Sequence, residues 1–348
     1  MPLPGRNHGS NGRVRNLTIK VERLSNAEEF ARLCGDWPAG SVYHRGEWLS
    51  SLSSASNMPI LPLVAREGDT PILAVPFFVG RSGPLRIVVS PPPRLGVEYL
   101  GPVPSPQTLE QRKKGEGLFR AIESVLDWLR SALKPSVIYL RTVPELDDAR
   151  GFQWAGFQVS PMYTYTVSIS RDSEQILESF DRSVRSDLRR TENKVDVRPG
   201  GVDLVEKVHE FVSARYRTQG ETFGPPLTYL ADLFRSLGPG AFLPIGAYTE
   251  RGLEAAAIIT FHHGRAAYWQ GAARTSHSRL PLTDHLIWGA IRLAKERGYE
   301  RFELVGANTP RLVRYKTKFA PDLEQFFEAK RSTQAGRIGL SLYRKLRG

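Results

Sequence analysis

The stretch from Ala241-Phe-Leu-Pro-Ile-Gly-Ala-Tyr248 through Glu254-Ala-Ala-Ala-Ile-Ile-Thr-Phe261 and Arg265-Ala-Ala-Tyr-Trp-Gln-Gly-Ala272 to Gly298 decides the fold. Its three apolar runs have strand length, and the last two are joined by the turn His262-His263-Gly264, which together predict an antiparallel meander. A helix follows from Thr283, read as its N-cap, to Arg297, with Gly298 at the C′ position where a left-handed residue ends a helix. Phe302 to Val305 then reads as a strand opening into the loop Gly306-Ala307-Asn308.

Working outward, Ser173 to Val195, Val202 to Arg217 and Leu227 to Leu237 read as helices preceding that meander. The first half has the same order. Leu17 to Leu24 reads as a strand, and Ser25 to Leu33 as a helix with Ser25 as N-cap and Glu28 completing a capping box. A helix over Arg45 to Ser54 precedes strands at Ile60 to Arg66, Ile72 to Val79 and Arg86 to Ser90. Leu118, Ile122, Val125, Leu126, Leu129 and Leu133 recur at helical spacing, which predicts an amphipathic helix over Leu109 to Leu133. Strands at Ser136 to Thr142 and Tyr163 to Ile169 complete the half. The pattern predicts an α+β protein of two similar modules, 17–165 and 166–330, after a basic tail over 1–16 and before a basic helix over 331–348.

The chain has 348 residues, 48 Lys plus Arg against 36 Asp plus Glu, and a formal charge of +12. That balance favours polyanionic partners or an acidic membrane surface. One cysteine, Cys34, excludes a disulfide within the chain and a cysteine-based zinc site. No run approaches the ~18 apolar residues of a spanning helix, and no apolar segment follows the basic N-terminus as in a signal peptide. Phosphate-loop, dinucleotide, nucleophile-elbow and HExxH signatures are missing, and the paired histidines at a hairpin turn read as solvent-exposed. No metal or resident cofactor is expected.

Three features carry chemistry. Arg182, Arg185 and Arg189 fall at i, i+3 and i+7, one helical face that could neutralise phosphates or be merely solvated beside Asp187 and Glu192. Arg311-Leu-Val-Arg314-Tyr315-Lys316-Thr-Lys318-Phe319 follows the last strand and its loop. There Lys316 could stabilise an oxyanion, Tyr315 could stack on a base, and Arg314 and Lys318 are further candidates for binding the donor or RNA; a basic surface loop is the alternative. Asp284 in the first turn of the predicted helix complements its dipole, or less readily acts as a base. Glu303 and Asn308 are secondary candidates beside the final strand.

Taken in order, Tyr43-His44-Arg45-Gly46-Glu47-Trp48-Leu49, Pro92 through Gly101-Pro102, Arg185 to Arg190, Tyr268 to Ala272, Leu286-Ile-Trp288-Gly-Ala290, Phe302-Glu303-Leu-Val-Gly306 and Tyr315-Lys316-Thr-Lys-Phe319 resemble the FemABX-like peptidoglycan-bridge aminoacyltransferases of the GNAT superfamily. The resemblance spans about residues 18 to 330. It implies two GNAT-like modules and transfer of an aminoacyl or acyl group to the amine of a peptide, sugar-peptide or lipid. In the family's Phe-Lys-x-x-Phe-Gly pattern, Tyr315 and Lys316 take the first two places and Ala320 replaces the glycine. The resemblance implies that Lys316 neutralises charge on the reacting carbonyl and that Tyr315 contacts the tRNA end. It implies that Arg185 or Arg189 meets a diphosphate, although Leu-Ser-Ser after Trp48 departs from members that use a lysine there. In GNAT enzymes, a glycine-rich loop cradles the pyrophosphate of CoA; Arg274-Thr-Ser-His-Ser-Arg-Leu has no glycine. Aminoacyl-tRNA is therefore the expected co-substrate, with acyl-CoA the alternative and a non-catalytic RNA- or membrane-binding protein a third reading. DNA is not an expected partner. A cytoplasmic location, with peripheral contact at the inner membrane face through the C-terminal helix, is expected.

Overall fold

The computed structural model describes residues 18–110, 116–274 and 279–337. The tail over 1–16, and all of the 331–348 helix beyond residue 337, lie outside them. Thirteen strands form one mixed sheet among the described residues. In chain order they are β1 Ile19–Arg23, β2 Ile60–Glu67, β3 Thr70–Ser82, β4 Leu85–Ser90, β5 Val103–Pro104, β6 Val137–Arg141 and β7 Gln158–Ser168. Then come β8 Asp196–Pro199, β9 Phe242–Thr249, β10 Gly252–His262, β11 Arg265–Ala273, β12 Arg301–Glu303 and β13 Asp322–Ser332. Their spatial order is β1-β2-β3-β4-β6-β13-β7-β12-β11-β10-β9-β8, with β5 beside β3.

The anticipated meander forms as β9, β10 and β11, with the hairpin at His262 and His263. The continuous Ala/Ile run of β10 follows from burial on both faces. The helix Leu282–Glu296 follows, and Gly298 at φ +81° provides the left-handed exit. Pro281, not Thr283, takes the N-cap position. The first helix, Ala27–Cys34, is likewise capped one residue later than expected: Asn26 accepts from Glu29 N–H, and the Ser25 N–H bonds back to the Glu29 carboxylate. The basic helix expected over 173–195 is two helices, Ser173–Ser179 and Arg182–Thr191. Phe180 turns extended between them, and Asp181 caps the second through Ser183 N–H. The long helix of the first half is described as Pro106–Glu110 and Glu116–Leu133.

β13 was not anticipated. It pairs with β6 on one side and β7 on the other, Ala329 standing opposite both Leu140 and Val159. β7 in turn pairs with β12, so the expected module boundaries at 165/166 and 330/331 fall inside β7 and β13. The halves also share a core: Trp48 of the first packs edge-to-face on Trp269 of the second at 5.2 Å and against Phe242 at 6.0 Å.

Each half contains one parallel pair. β4 and β6 pair over Ile87–Ser90, and beyond them the chain fills its own gap: Leu100 and Gly101 N–H groups both bond to Arg141 O. β11 and β12 pair only over Arg265–Ala267 and Arg301–Glu303, and β11 then runs on to Ala273 without that neighbour. This divergence opens the second half where the first is closed. Among the described residues, no helix is long and apolar enough to cross a membrane.

Candidate active site

The carboxyl end of β12 delivers Glu303, Val305 and Gly306 to the mouth of the divergence, and the helix Pro310–Lys316 returns Lys316 to it. Thr309 caps that helix by accepting from Leu312 N–H, with Pro310 at its first position. Lys316 is 9% exposed, while Arg314 and Lys318 point to solvent from the same turn. Its ammonium donates to the carbonyls of Val305 and of Gly306, the latter at 2.8 Å. Burial lowers its pKa to about 8 against the opposing pull of Glu98 and Glu303.

Glu98 comes from the other half. It lies on the segment Pro91–Gly101, which is fixed at three places: Trp269 Nε1 donates to Gly96 O at 2.6 Å, Arg141 O receives the amides of Leu100 and Gly101, and the His44 imidazole meets Leu100 O at 2.5 Å. His44 Nδ1 accepts Ser41 N–H, so Nε2 carries the proton toward Leu100; burial lowers the pKa to about 4 and keeps the ring neutral. Tyr43, His44 and Trp48 are therefore buried supports of this segment. Gly306 has φ +85°, and a Cβ there would stand 3.6 Å from Glu98 Oε1 and 3.7 Å from Lys316 Nζ. Carboxylate and ammonium thus converge over one stretch of backbone whose left-handed φ favours glycine. Burial raises the Glu98 pKa, opposed by Arg141 and Lys316.

Glu303 is the floor of this cluster rather than a free base. It accepts from Tyr99 Oη at 2.8 Å and Thr164 Oγ1 at 2.7 Å, and Arg265 Nη1 lies 3.5 Å away. Arg265 also pairs with Glu145 at 3.4 Å and Glu324 at 3.2 Å. Removing the guanidinium takes a shared cation from three largely buried carboxylates, although Glu324 keeps Arg301 and Glu303 keeps its two hydroxyl donors, so Arg265→Gln is expected to cost about 3 kcal/mol of stability in denaturant unfolding. Burial raises the Glu145 pKa and Arg265 opposes that rise, so in the variant Glu145 protonates more readily when folded and the loss is smaller at pH 5 than at pH 8.

Tyr315 donates to Asp284 at 2.5 Å and packs edge-to-face on Phe319 at 5.7 Å, which is itself edge-to-face with Phe180. Burial, then Asp284, places its pKa well above the ordinary range, and burial raises that of Asp284. Asp284 therefore positions Tyr315 at the start of the Leu282–Glu296 helix, beside a cavity of about 210 Å³ lined by Ala273, Arg274, Leu280 and Thr283. Asn308 continues the sheet with its side chain, accepting Tyr163 N–H at 2.8 Å and donating to Tyr163 O at 2.9 Å.

The arginine face lies apart from Lys316 in its bonding. Arg185 donates to Glu178 O at 2.8 Å and Phe180 O at 2.7 Å; Arg189 pairs with Glu174 at 2.6 Å and with Glu178; Arg182 is exposed. The first two tie Arg182–Thr191 to the end of the preceding helix. Arg185→Gln is accordingly expected to lower the melting temperature more than Arg189→Gln, whose ion pairs are solvent-exposed. The hairpin histidines also have partners: both rings reach Gly35 O, at 3.1 Å and 2.6 Å, holding the two halves together.

Sequence reasoning missed Glu98, Tyr99, Arg265 and Arg215. Arg215 sits half-buried beside the divergence, donates to Gly271 O at 3.4 Å and electrostatically opposes protonation of Lys316. Near it the Tyr268 hydroxyl is buried without a partner, lying over Gly271, where a Cβ would be 2.1 Å from it.

A diverging parallel pair, a helix start aimed at the opening and a lysine behind it belong to a recognisable architecture. Residues 181–317 match the family model of the acetyltransferase (GNAT) domain. The fold is of the GNAT type. The structure titled FemX superposes with a TM-score of 0.67 at 11% identity, covering 88% of this chain and 96% of that one. The C-terminal domain of a putative lysylphosphatidylglycerol synthetase from Agrobacterium fabrum gives 0.55 at 14% identity over 92% and 96%. A tandem GNAT protein from the clavulanic acid biosynthesis pathway gives 0.50 at 12% identity over 90% and 98%. No curated protein sequence matches the chain. The family model thus falls within the second half, while the tandem GNAT structure superposes across both.

Proposed function

We propose that the protein is an acyl- or aminoacyltransferase that forms an amide on an amine acceptor, with Lys316 and Glu98 at the reacting centre. The observation that carries this reading is their convergence above Gly306 at the open end of β11 and β12. The attacking amine forms the new C–N bond as the C–O bond of an ester donor, or the C–S bond of a thioester, breaks. Glu98 takes the proton the amine loses, the leaving oxygen or sulfur regains one, and Lys316 stabilises charge on the carbonyl oxygen. Arg215 and the Tyr268 hydroxyl face the donor from the β11 side.

The donor we favour is aminoacyl-tRNA, on the likeness to FemX and to a lysylphosphatidylglycerol synthetase domain, the +12 charge and the glycine-free segment after Arg274. The acetyltransferase description of the matching family supports acyl-CoA as the second reading. A peptide, sugar-peptide or lipid amine at the inner face of the membrane is the acceptor class in either case. Purified protein is assayed by mass spectrometry for bound RNA or CoA, then for transfer from each donor to amines. Tightly bound acyl-CoA overturns the tRNA reading, and no transfer from either donor leaves the non-catalytic binder. If Arg185 and Arg189 touch RNA despite their internal bonds, the double Gln variant reduces the slope of log K against log salt by about 0.7 per contact. An unchanged slope removes both arginines from RNA binding.

A further inference from the structure

We propose that Arg130 and Arg331 form a site for the phosphate of an anionic membrane lipid on the first half of the molecule. Two separate elements bring the guanidiniums together. Arg130 lies in the last turn of the helix Glu116–Leu133, and its Nη2 reaches Ala155 O at 3.5 Å. Ala155 begins the turn that leads into β7. Lys330 opposite Gln158 is the last pair of the β13–β7 ladder, so Arg331 stands beside that same turn. Arg130 pairs with Asp127 at 2.7 Å. Arg331 makes no hydrogen bond or ion pair with any described residue, and its Nη1 and the Arg130 Nε are both shut off from solvent without a partner. Burial, then the Arg130 charge, lowers the Arg331 pKa against the pull of Asp127. Two guanidiniums with one carboxylate and unbonded donors are completed by a shared oxyanion, which arginine grips through its forked N–H groups. Both side chains keep part of their surface in solvent, where that anion is met.

The neighbour of this pair says which phosphate it is. Trp154, next in the chain to Ala155, is 67% exposed, one of two large apolar side chains so exposed among the described residues. Exposed indole beside cations is the composition that meets the headgroup layer of a bilayer, where tryptophan sits at the interface and arginine meets anionic lipid. A nucleic-acid base is less well served. The Trp154 ring is already packed edge-to-face on Phe119 at 5.0 Å, and the Arg150 guanidinium lies over it at 5.7 Å. The same end of the molecule carries Lys134 and Arg337, both exposed, on segments joined by Thr333 N–H to Ser136 O at 2.9 Å. This site does not rest on the transferase reading. It lies by the Val137 end of β6, whereas Arg141, which belongs with Glu98, is at the other.

The test is flotation of the full chain with vesicles of phosphatidylcholine, with and without phosphatidylglycerol. The protein is expected to float with the mixed vesicles and to stay in solution with pure phosphatidylcholine. Arg130→Gln with Arg331→Gln is expected to weaken partition about 30-fold, the loss of two basic side chains at an anionic surface. Arg235→Gln with Arg292→Gln removes the same charge from exposed positions of the second half and should change it little. Trp154→Ser should weaken it as well. Arg331 has no partner to lose, so Arg331→Gln alone should keep or raise the melting temperature while weakening partition about fivefold; it carries the test should the double variant not fold. Equal losses in the two double variants, or none in folded Arg331→Gln, overturn the proposal. A melting temperature raised by inorganic phosphate over chloride at equal ionic strength, with no flotation, makes this a free-anion site and overturns the lipid. Weakened binding of an RNA oligonucleotide in the Arg130/Arg331 variant, with flotation unchanged, overturns it in favour of RNA.

Discussion

Glu98→Gln is expected to lower kcat/KM for the amine by about 10²–10⁴-fold, the contribution of one positioned general base. Glutamine keeps the size of the side chain and removes a carboxylate that burial already disfavours, so the melting temperature should hold or rise. The pH profile distinguishes this role from a structural one. Wild-type activity rises with pH as Glu98 loses its proton, at a point above the usual carboxylate range. The variant should lack that limb. A full-rate Glu98→Gln enzyme would remove the residue from the mechanism.

Lys316→Met is expected to lower kcat by about 10²–10³-fold, the cost of one preorganised donor to an oxyanion, while the donor's KM changes little. Since burial lowers the Lys316 pKa to about 8, the charged form is lost early and wild-type kcat should fall as pH rises through that value. Folding lowers the group's proton affinity from its ordinary 10.5. The unfolded chain therefore binds more protons between the two values, and this lysine makes the protein more stable as pH rises across them. Lys316→Arg keeps the charge and removes the titration: partial activity without the alkaline limb is the expected result. Lys318→Met, altering a side chain that points to solvent, is the control and should retain activity.

The second-half meander and the helix ending at Gly298 were legible because their signals are local: strand-length apolar runs, a hairpin turn and a left-handed exit. Lys316 was legible for the same reason, standing after an aromatic and just past a strand and its loop. Glu98 carried no such signal. Its neighbour is 218 positions away in the chain, and only the fixing of Pro91–Gly101 by Trp269, Arg141 and His44 makes it a partner of Lys316. The break at Phe180 was invisible for a different reason: the apolar spacing of Ile176, Leu177, Phe180, Val184 and Leu188 runs on through it, and the capping role of Asp181 outweighs that periodicity. β13 reads as a charged stretch because Glu324, Glu328, Lys330 and Arg331 interleave with its apolar residues, and nothing local says that it returns to the other half.

That returning strand governs how the molecule can be made. β6 and β7 emerge from synthesis with an open slot between them, and the strand that fills it is more than 150 residues further along. Until it arrives, both slot edges present unpaired amides and carbonyls to any passing strand. Closure is therefore a late, long-range event of high contact order. Cutting the chain between the halves yields no autonomous piece from the front. Two fragments would be expected to reassemble only by handing β13 across, which gives split-protein complementation a built-in latch.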